Sequence, residues 1–329
     1  ALLCNPNMRE GIMPSILSRA LAGKRADAPR LTGRQRFRAW WLALRPPFFI
    51  VDLIPVGLGG ALAARDLGYW PWGIFTVVMI GCFCLHIVAN IANDLFDYLE
   101  GVDAEDTIGG THVIQNGWIS PRQISVAILG LLAATLLIGW GLIAWSGQDW
   151  LWGPVVFAIF SAIFYVAPPI RYGCRGYGEL FVCLNMGFVM VIGSYAVMAK
   201  GFSVQSLAFA LPVGLMVAGI LYYQSLPEIE TDLAAGKRTL ANILGKSKAE
   251  LVFRLWWPAV WVLMANLWAC GLVGWPVFLG LLTFPLYWRA CRLIRNAVDW
   301  LELDRHGHLV RKLYLINGAC LIAAVIWWR

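Results

Sequence analysis

The chain has 329 residues, 60% of them hydrophobic and only 14% charged, with a formal net charge of +7 and a mean hydropathy of +0.67. That balance excludes an ordinary soluble domain, in which about a quarter of the residues are charged. It also argues against a nucleic-acid binder, because the basic residues collect at the N-terminus and in alternate loops, as the positive-inside rule requires of a membrane protein.

In chain order, residues 1–39 form a basic, polar segment without a signal-peptide h-region. It is expected on the cytoplasmic side, either along the anionic inner leaflet or as a disordered tail. Residues 40–329 then read as one transmembrane domain. Apolar stretches of about 17 to 25 residues, each long enough to cross hydrocarbon as a helix, suggest about nine spans. They fall near 47–67, 74–96, 122–146, 151–168, 178–199, 204–226, 251–272, 275–291 and 312–328. Period-two alternation is absent and open sheet edges cannot be satisfied in lipid, so the expected fold is all-α. With these spans, Arg9, Arg19, Lys24, Arg25, Arg30, Arg34, Arg36, Arg38, Arg45 and the even-numbered loops hold nearly all the basic residues. Only Arg65, Lys200 and Arg329 fall on the other side. The N-terminus is therefore expected in the cytoplasm, as in a bacterial-type inner membrane protein.

The second span ends in a cluster of Asn90, Asn93, Asp94 and Asp97, followed by Gly101 and Asp103. At about 100° per residue the first four share one helix face. Gly101 is expected to end the helix and turn Asp103 back toward the same site. Carboxylates and amide oxygens packed on one face are the hard donors that magnesium takes, alongside water and substrate phosphate.

A second acidic motif follows the sixth span, where Gln224, Glu228 and Asp232 recur every fourth residue and so stack on one face of a helix, whereas Glu230 points elsewhere. Next come Gly236, Lys237, Arg238 and Thr239, a turn carrying two cations suited to a diphosphate. The loop is not a Walker P-loop, which needs more glycines and a preceding strand. Both acidic motifs fall on the cytoplasmic side, one before and one after the chain's midpoint, as a site between two helical halves requires. The remaining polar positions carry less. His86 and Asn185 suit interhelical hydrogen bonds, His306 and His308 do not form a metal site, and the many Trp residues near span ends are interfacial anchors. Asp52, inside the first span, either pairs with a cation or sits near the interface.

At these residues the sequence resembles the UbiA-type intramembrane prenyltransferases, and among them the branch that prenylates 1,4-dihydroxy-2-naphthoate in menaquinone synthesis. The resemblance rests on Leu44-Arg45-Pro46 opening the first span and on Asn93, Asp94, Asp97, Gly101 and Asp103. It continues through Gly109-Gly110, Gln115, Gly117, Ile119-Ser120, Arg175-Gly176, Gly178-Glu179, and Thr231-Asp232 with Ala235 through Leu240. It implies helices around a central cavity, a prenyl diphosphate donor, an aromatic acceptor, membrane lipid as surroundings and Mg2+ as cofactor. Carried over by residue, Asn93, Asp94, Asp97 and Asp103 would hold one magnesium ion and Glu228 with Asp232 a second. Asp94, Asp97 and Asp232 would be catalytic. Arg175, Lys237 and Arg238 would contact diphosphate, and Arg45, Asn90 and His112 would complete substrate binding.

The match has departures. The branch reads Asn-Asn-x-Arg-Asp where this chain has Gln224-Ser225-Leu226-Pro227-Glu228, so an Arg is lost, a kink gained and a carboxylate moved by one methylene. His112 stands in place of an Arg and Pro47 in place of a Lys. Two other classes stay open on the sequence: a catalytically weak or inactive homologue serving as a lipid- or quinone-binding subunit of a membrane complex, and a transporter. Against a transporter, no pair of Pro/Gly-broken repeats marks a midplane site.

Overall fold

The computed structural model describes residues 31–100, 110–234 and 236–328. Among them the regular elements are helices, and the single strand-like feature is an isolated bridge between Arg175 and Arg238. Residues 1–30 of the expected N-terminal segment, and the expected turn from Gly101 to Asp103, lie outside the described residues.

Thr32 opens helix α1 (Gly33–Leu44) through a capping box with Gln35, so helix runs through the expected domain boundary at residue 40. It stops at Arg45, which adopts the left-handed conformation (φ 51), and Pro46 and Pro47 cannot donate to continue it. Helix α2 (Ile50–Leu67) leaves this corner, and the two form a pair bent by 49°. Then follow α3 (Trp72–Glu100), α4 (Pro121–Ser146), α5 (Trp152–Phe164), α6 (Gly178–Ala199) and α7 (Val204–Ser225). A short α8 (Ile229–Ala234) precedes α9 (Leu240–Ala269), α10 (Trp275–Asn296) and α11 (Trp300–Trp327).

Each of the nine expected apolar stretches contains helix, though length and apolarity by themselves do not qualify all nine as spans. Among the described residues seven helices (α3, α4, α6, α7, α9, α10 and α11) are long and apolar enough to cross a membrane, and α1 with α2 gives an eighth if the bent pair is one span. The fourth stretch carries a shorter helix than expected. Helix α5 has 13 residues, only about 20 Å of rise against a core of about 30 Å; Pro168 and Pro169 bar its continuation. The seventh starts earlier than expected, at Leu240 behind a Thr239 cap, and is broken at Gly245 (φ 73), so the straight apolar stretch follows that residue.

Close packing of α6 on α7 depends on two glycines. A Cβ on Gly187 would strike the Ala210 carbonyl, and one on Gly214 would meet the Cys183 carbonyl; small residues let helices without a hydrophobic driving force approach this closely. Here α6 is wound as a π-helix over Cys183–Ile192. The buried side chains form a large cluster that includes Leu58, Val213, Tyr222, Trp257 and Tyr314, and a smaller one built from Ala39, Ile91, Leu95, Val113, Ile114 and Ile119. The first acidic motif stands on the smaller cluster and the second on the larger.

Candidate active site

A cavity of about 960 Å³ is walled by α1 to α7 and by the segments that follow α7. Phe48, Leu85, Val155, Met190 and Leu221 contribute to its apolar lining, and Asn90, Asn93, Asp97, Gln224, Glu228, Asp232 and Lys237 to its polar lining.

On α3 the expected shared face divides its work. Asn90, Asn93 and Asp97 line the cavity, and Asn93 Nδ2 donates to Asp97 Oδ2 at 3.0 Å. Asp94, one residue around the helix, is buried and engaged on both oxygens. Arg45 Nη2 reaches Oδ1 at 2.6 Å and Thr111 Oγ1 donates to Oδ2 at 2.5 Å. A carboxylate so occupied is a brace between the α1–α2 corner and the loop after α3. The left-handed turn at Arg45 is what aims its guanidinium back at α3, and Arg45 also lines the cavity.

The second motif is built differently from the continuous helix its spacing suggests. Helix α7 ends at Ser225, residues 226–228 form a turn, and α8 restarts at Ile229. Pro227 is the physical reason, since it lacks the donor a continuing helix needs. Even so, Gln224, Glu228 and Asp232 all reach the cavity, because the Asp232 N–H donates to the Glu228 carbonyl at 2.7 Å and restores one helical turn. Glu230 points away, as expected, and pairs with Lys246 at 2.7 Å.

Lys237 joins the two motifs. Its Nζ lies 4.0 Å from Asp97 Oδ2 and 3.9 Å from Asp232 Oδ1. Gly236 (φ 75) makes the turn that brings it there, the Lys237 N–H donates to the Asp232 carbonyl at 2.8 Å, and Asn242 Nδ2 donates to the Lys237 carbonyl at 2.8 Å. Burial disfavours an ammonium, but the charges of Asp97 and Asp232 outweigh it and raise the Lys237 pKa. Glu228 is pushed up to about 7 by burial and then by the charge of Asp232. Asp232 is pushed up to about 6, also by burial, with Lys237 opposing the shift.

Several expected site residues stand elsewhere. Arg175 donates through Nη2 to the Pro169 carbonyl at 3.0 Å, and neither it nor Arg238 is part of the cavity lining. The Arg238 N–H instead donates to the Cys174 carbonyl at 3.0 Å, which ties the Lys237 turn to the segment before α6. His112 (φ 53) also lies outside the lining, beside Thr111, which is within it. Asp103 is outside the described residues. Sequence reasoning missed Thr111, which follows a Gly-Gly pair without any periodic signal, and Asp304, which lines the same cavity from the first turns of α11. It also left Asp52 unassigned; that side chain is buried and meets His86 Nδ1 at 2.9 and 3.1 Å.

Both the sequence and the fold have known relatives. The sequence profile of the UbiA prenyltransferase family matches residues 53–299. The chain belongs to that family. Among its relatives, the 2-carboxy-1,4-naphthoquinone phytyltransferase of Synechocystis sp. is 27% identical over 88% of this chain and 94% of its own length. The 1,4-dihydroxy-2-naphthoate octaprenyltransferase of Haemophilus influenzae is 28% identical over 77% and 84%. Of the solved structures, a UbiA homolog from Aeropyrum pernix K1 superposes with a TM-score of 0.63 at 17% identity, covering 84% of this chain and 98% of that one. A UbiA homolog from Archaeoglobus fulgidus bound to DMAPP and Mg2+ gives 0.54 at 15% identity, over 86% and 99%. The protein is thus a UbiA-family prenyltransferase integral to a membrane, and the cavity between its two acidic motifs is the candidate site of transfer.

Proposed function

We propose that this prenyltransferase moves a prenyl group from an isoprenyl diphosphate to an aromatic quinone precursor of the 1,4-dihydroxy-2-naphthoate type. The reaction is magnesium-dependent and takes place at the cytoplasmic face of a bacterial-type inner membrane, in the transmembrane domain 40–329, with residues 1–39 on the same face. The observation that carries the reading is the Lys237 ammonium held between Asp97 of one motif and Asp232 of the other at the cavity wall. A diphosphate with its metal needs acidic groups from two sides and a fixed cation, and an apolar cavity beside them suits a prenyl tail. The naphthoate activities of the relatives support the choice of acceptor, and the Archaeoglobus homolog with DMAPP and Mg2+ supports the choice of donor.

The donor set fits magnesium in its chemistry. Among the described residues no three His, Cys, Asp or Glu side chains gather into a ready metal cage. Magnesium does not need one, since it usually binds one or two carboxylates and completes its shell with water and substrate phosphate. Asn93, Asp97, Glu228 and Asp232 would hold it, whereas Asp94 serves as the brace for Arg45. Bound there, magnesium supplies Lewis-acid stabilisation of the charge that develops on the leaving diphosphate.

The chain's own groups do the rest. Lys237 places a fixed positive charge beside the leaving group in a site shielded from water, where such charges count most. Asn90 Nδ2 is buried without a hydrogen-bond partner and lines the cavity, so it is free to donate to a diphosphate oxygen. Arg175 and Arg238 act indirectly by fixing the turn that carries Lys237. Apolar walls keep water from the allylic cation formed when the C–O bond breaks, and the ring carbon of the acceptor captures it. The test is to incubate purified protein with Mg2+, a prenyl diphosphate and a panel of aromatic acceptors. Prenylated product and diphosphate are expected in equal amounts; no product with any acceptor would contradict the reading and favour a lipid-binding subunit.

A further inference from the structure

Helix α3 carries a second functional group on the cavity face, deeper than the acidic motif. His86, Asn90, Asn93 and Asp97 all line the cavity and follow one another at helical spacing along one face. His86 lies one turn, about 6 Å, from Asn90, on the side away from Asp97. A diphosphate held at Asn93, Asp97 and Lys237 with its prenyl carbon directed along this face would bring the acceptor ring beside His86.

The imidazole is prepared for a chemical task. Its Nδ1 faces both oxygens of Asp52, at 2.9 and 3.1 Å, and Asp52 is fully buried. Phe49 packs edge-on against the ring, with centroids 6.0 Å apart, and itself stacks on Phe83, which fixes the ring plane. A carboxylate on Nδ1 holds the proton there and leaves the lone pair on Nε2, which has no partner among the described residues. A buried carboxylate at this depth is costly, and tethering α2 to α3 would be achieved as well by an uncharged pair.

We propose that His86, oriented by Asp52, is the base that takes the hydroxyl proton of the aromatic acceptor. This rests on the aromatic-acceptor reading above. As the C1–O bond of the donor breaks, its electron pair leaves with the diphosphate. The acceptor's ring carbon bonds to C1, the O–H bonding pair becomes part of a ring C=O, and the proton moves to His86 Nε2. Asp52 stabilises the resulting imidazolium, as the carboxylate does in other carboxylate–histidine pairs. When the attacked carbon loses its substituent, as carbon dioxide from a carboxylate or as a proton passed to the departed diphosphate, the freed electron pair restores aromaticity and the ring oxygen recovers the proton from Nε2. His86 is then a catalytic residue and Asp52 a positioning residue.

The test measures turnover of the full-length protein with Mg2+, one prenyl diphosphate and a series of ring-substituted hydroxynaphthoates of graded hydroxyl acidity. His86→Gln is expected to lower kcat about 100-fold for the least acidic acceptors, within the range a general base contributes. The deficit should shrink toward none for acceptors already ionised at the assay pH, with KM for the prenyl diphosphate unchanged. Asp52→Asn should show the same trend with a smaller loss. His86→Ala should recover turnover on addition of imidazole, which separates a lost base from a misfolded chain. An equal loss for every acceptor, no loss, or no rescue by imidazole would overturn the proposal while leaving the transferase reading intact. A wild-type protein that prenylates none of the series would overturn both.

Discussion

The two acidic motifs face one cavity, yet they are built on opposite plans. The first lies on an uninterrupted helix, and one of its carboxylates, Asp94, is fully engaged by Arg45 and Thr111. The second spans the break between α7 and α8, and its carboxylates, Glu228 and Asp232, are raised in pKa by burial, with Lys237 as the cation opposing the shift. One motif is braced before substrate arrives; the other is left in need of positive charge. That difference teaches where a cation belongs, at the seam where Asp97 and Asp232 share Lys237.

Asp97→Ala removes the carboxylate of the first motif that, among the described residues, lines the cavity and lies 4.0 Å from Lys237, and is expected to lower prenyl transfer by about 1000-fold, as loss of a principal transition-state charge does. Lys237→Met should cost about 100-fold in kcat on the same grounds, because it strips the seam of its fixed cation. If Lys237→Met were neutral, the seam would not be the reaction centre. Arg45→Met should act mainly on folding. It strands Asp94 as a buried, unpaired carboxylate and should lower stability by about 3 kcal/mol, read as a shift in thermal unfolding; Asp94→Asn combined with it should recover part of the loss.

The smallest effect concerns pH. Glu228 and Asp232 have folded-state values of about 7 and about 6, above those of carboxyls in an unfolded chain. Folding therefore favours their protonated forms, and the stability they contribute is greatest below the unfolded values and lost as pH rises through 6 to 7. Without divalent cations, thermal stability should rise modestly as pH is lowered from about 8 to about 5. Magnesium, which binds the ionised form, should flatten that slope. The opposite slope in cation-free buffer would show that these groups are not the burdened half of the site.

The sequence made the first motif legible because a single helical periodicity places Asn90, Asn93 and Asp97 on one face. It also separated Glu230 from Glu228 and Asp232 by the same arithmetic, although the helix carrying that arithmetic is broken at Pro227. What spacing cannot convey is partnership across the chain. Asp94 shares the face of Asp97, yet Arg45, forty-nine residues earlier, claims it. Arg238, from its charge, and Arg175, from the family resemblance, read as phosphate ligands, but their backbones pair with each other and neither residue lines the cavity. Span number is less legible at α5, where the apolar stretch runs to residue 168 but the helix ends at Phe164, ahead of Pro168 and Pro169.

A double-mutant cycle on diphosphate release tests most directly whether the two motifs act as one unit. Asp97→Ala, Asp232→Ala and the double variant should be assayed with Mg2+, prenyl diphosphate and acceptor. If both carboxylates serve one shared centre, the double variant should be scarcely slower than either single one, as expected for residues that function together. Rate losses that multiply in the double variant, or a single variant that releases diphosphate at the wild-type rate, would contradict a shared site.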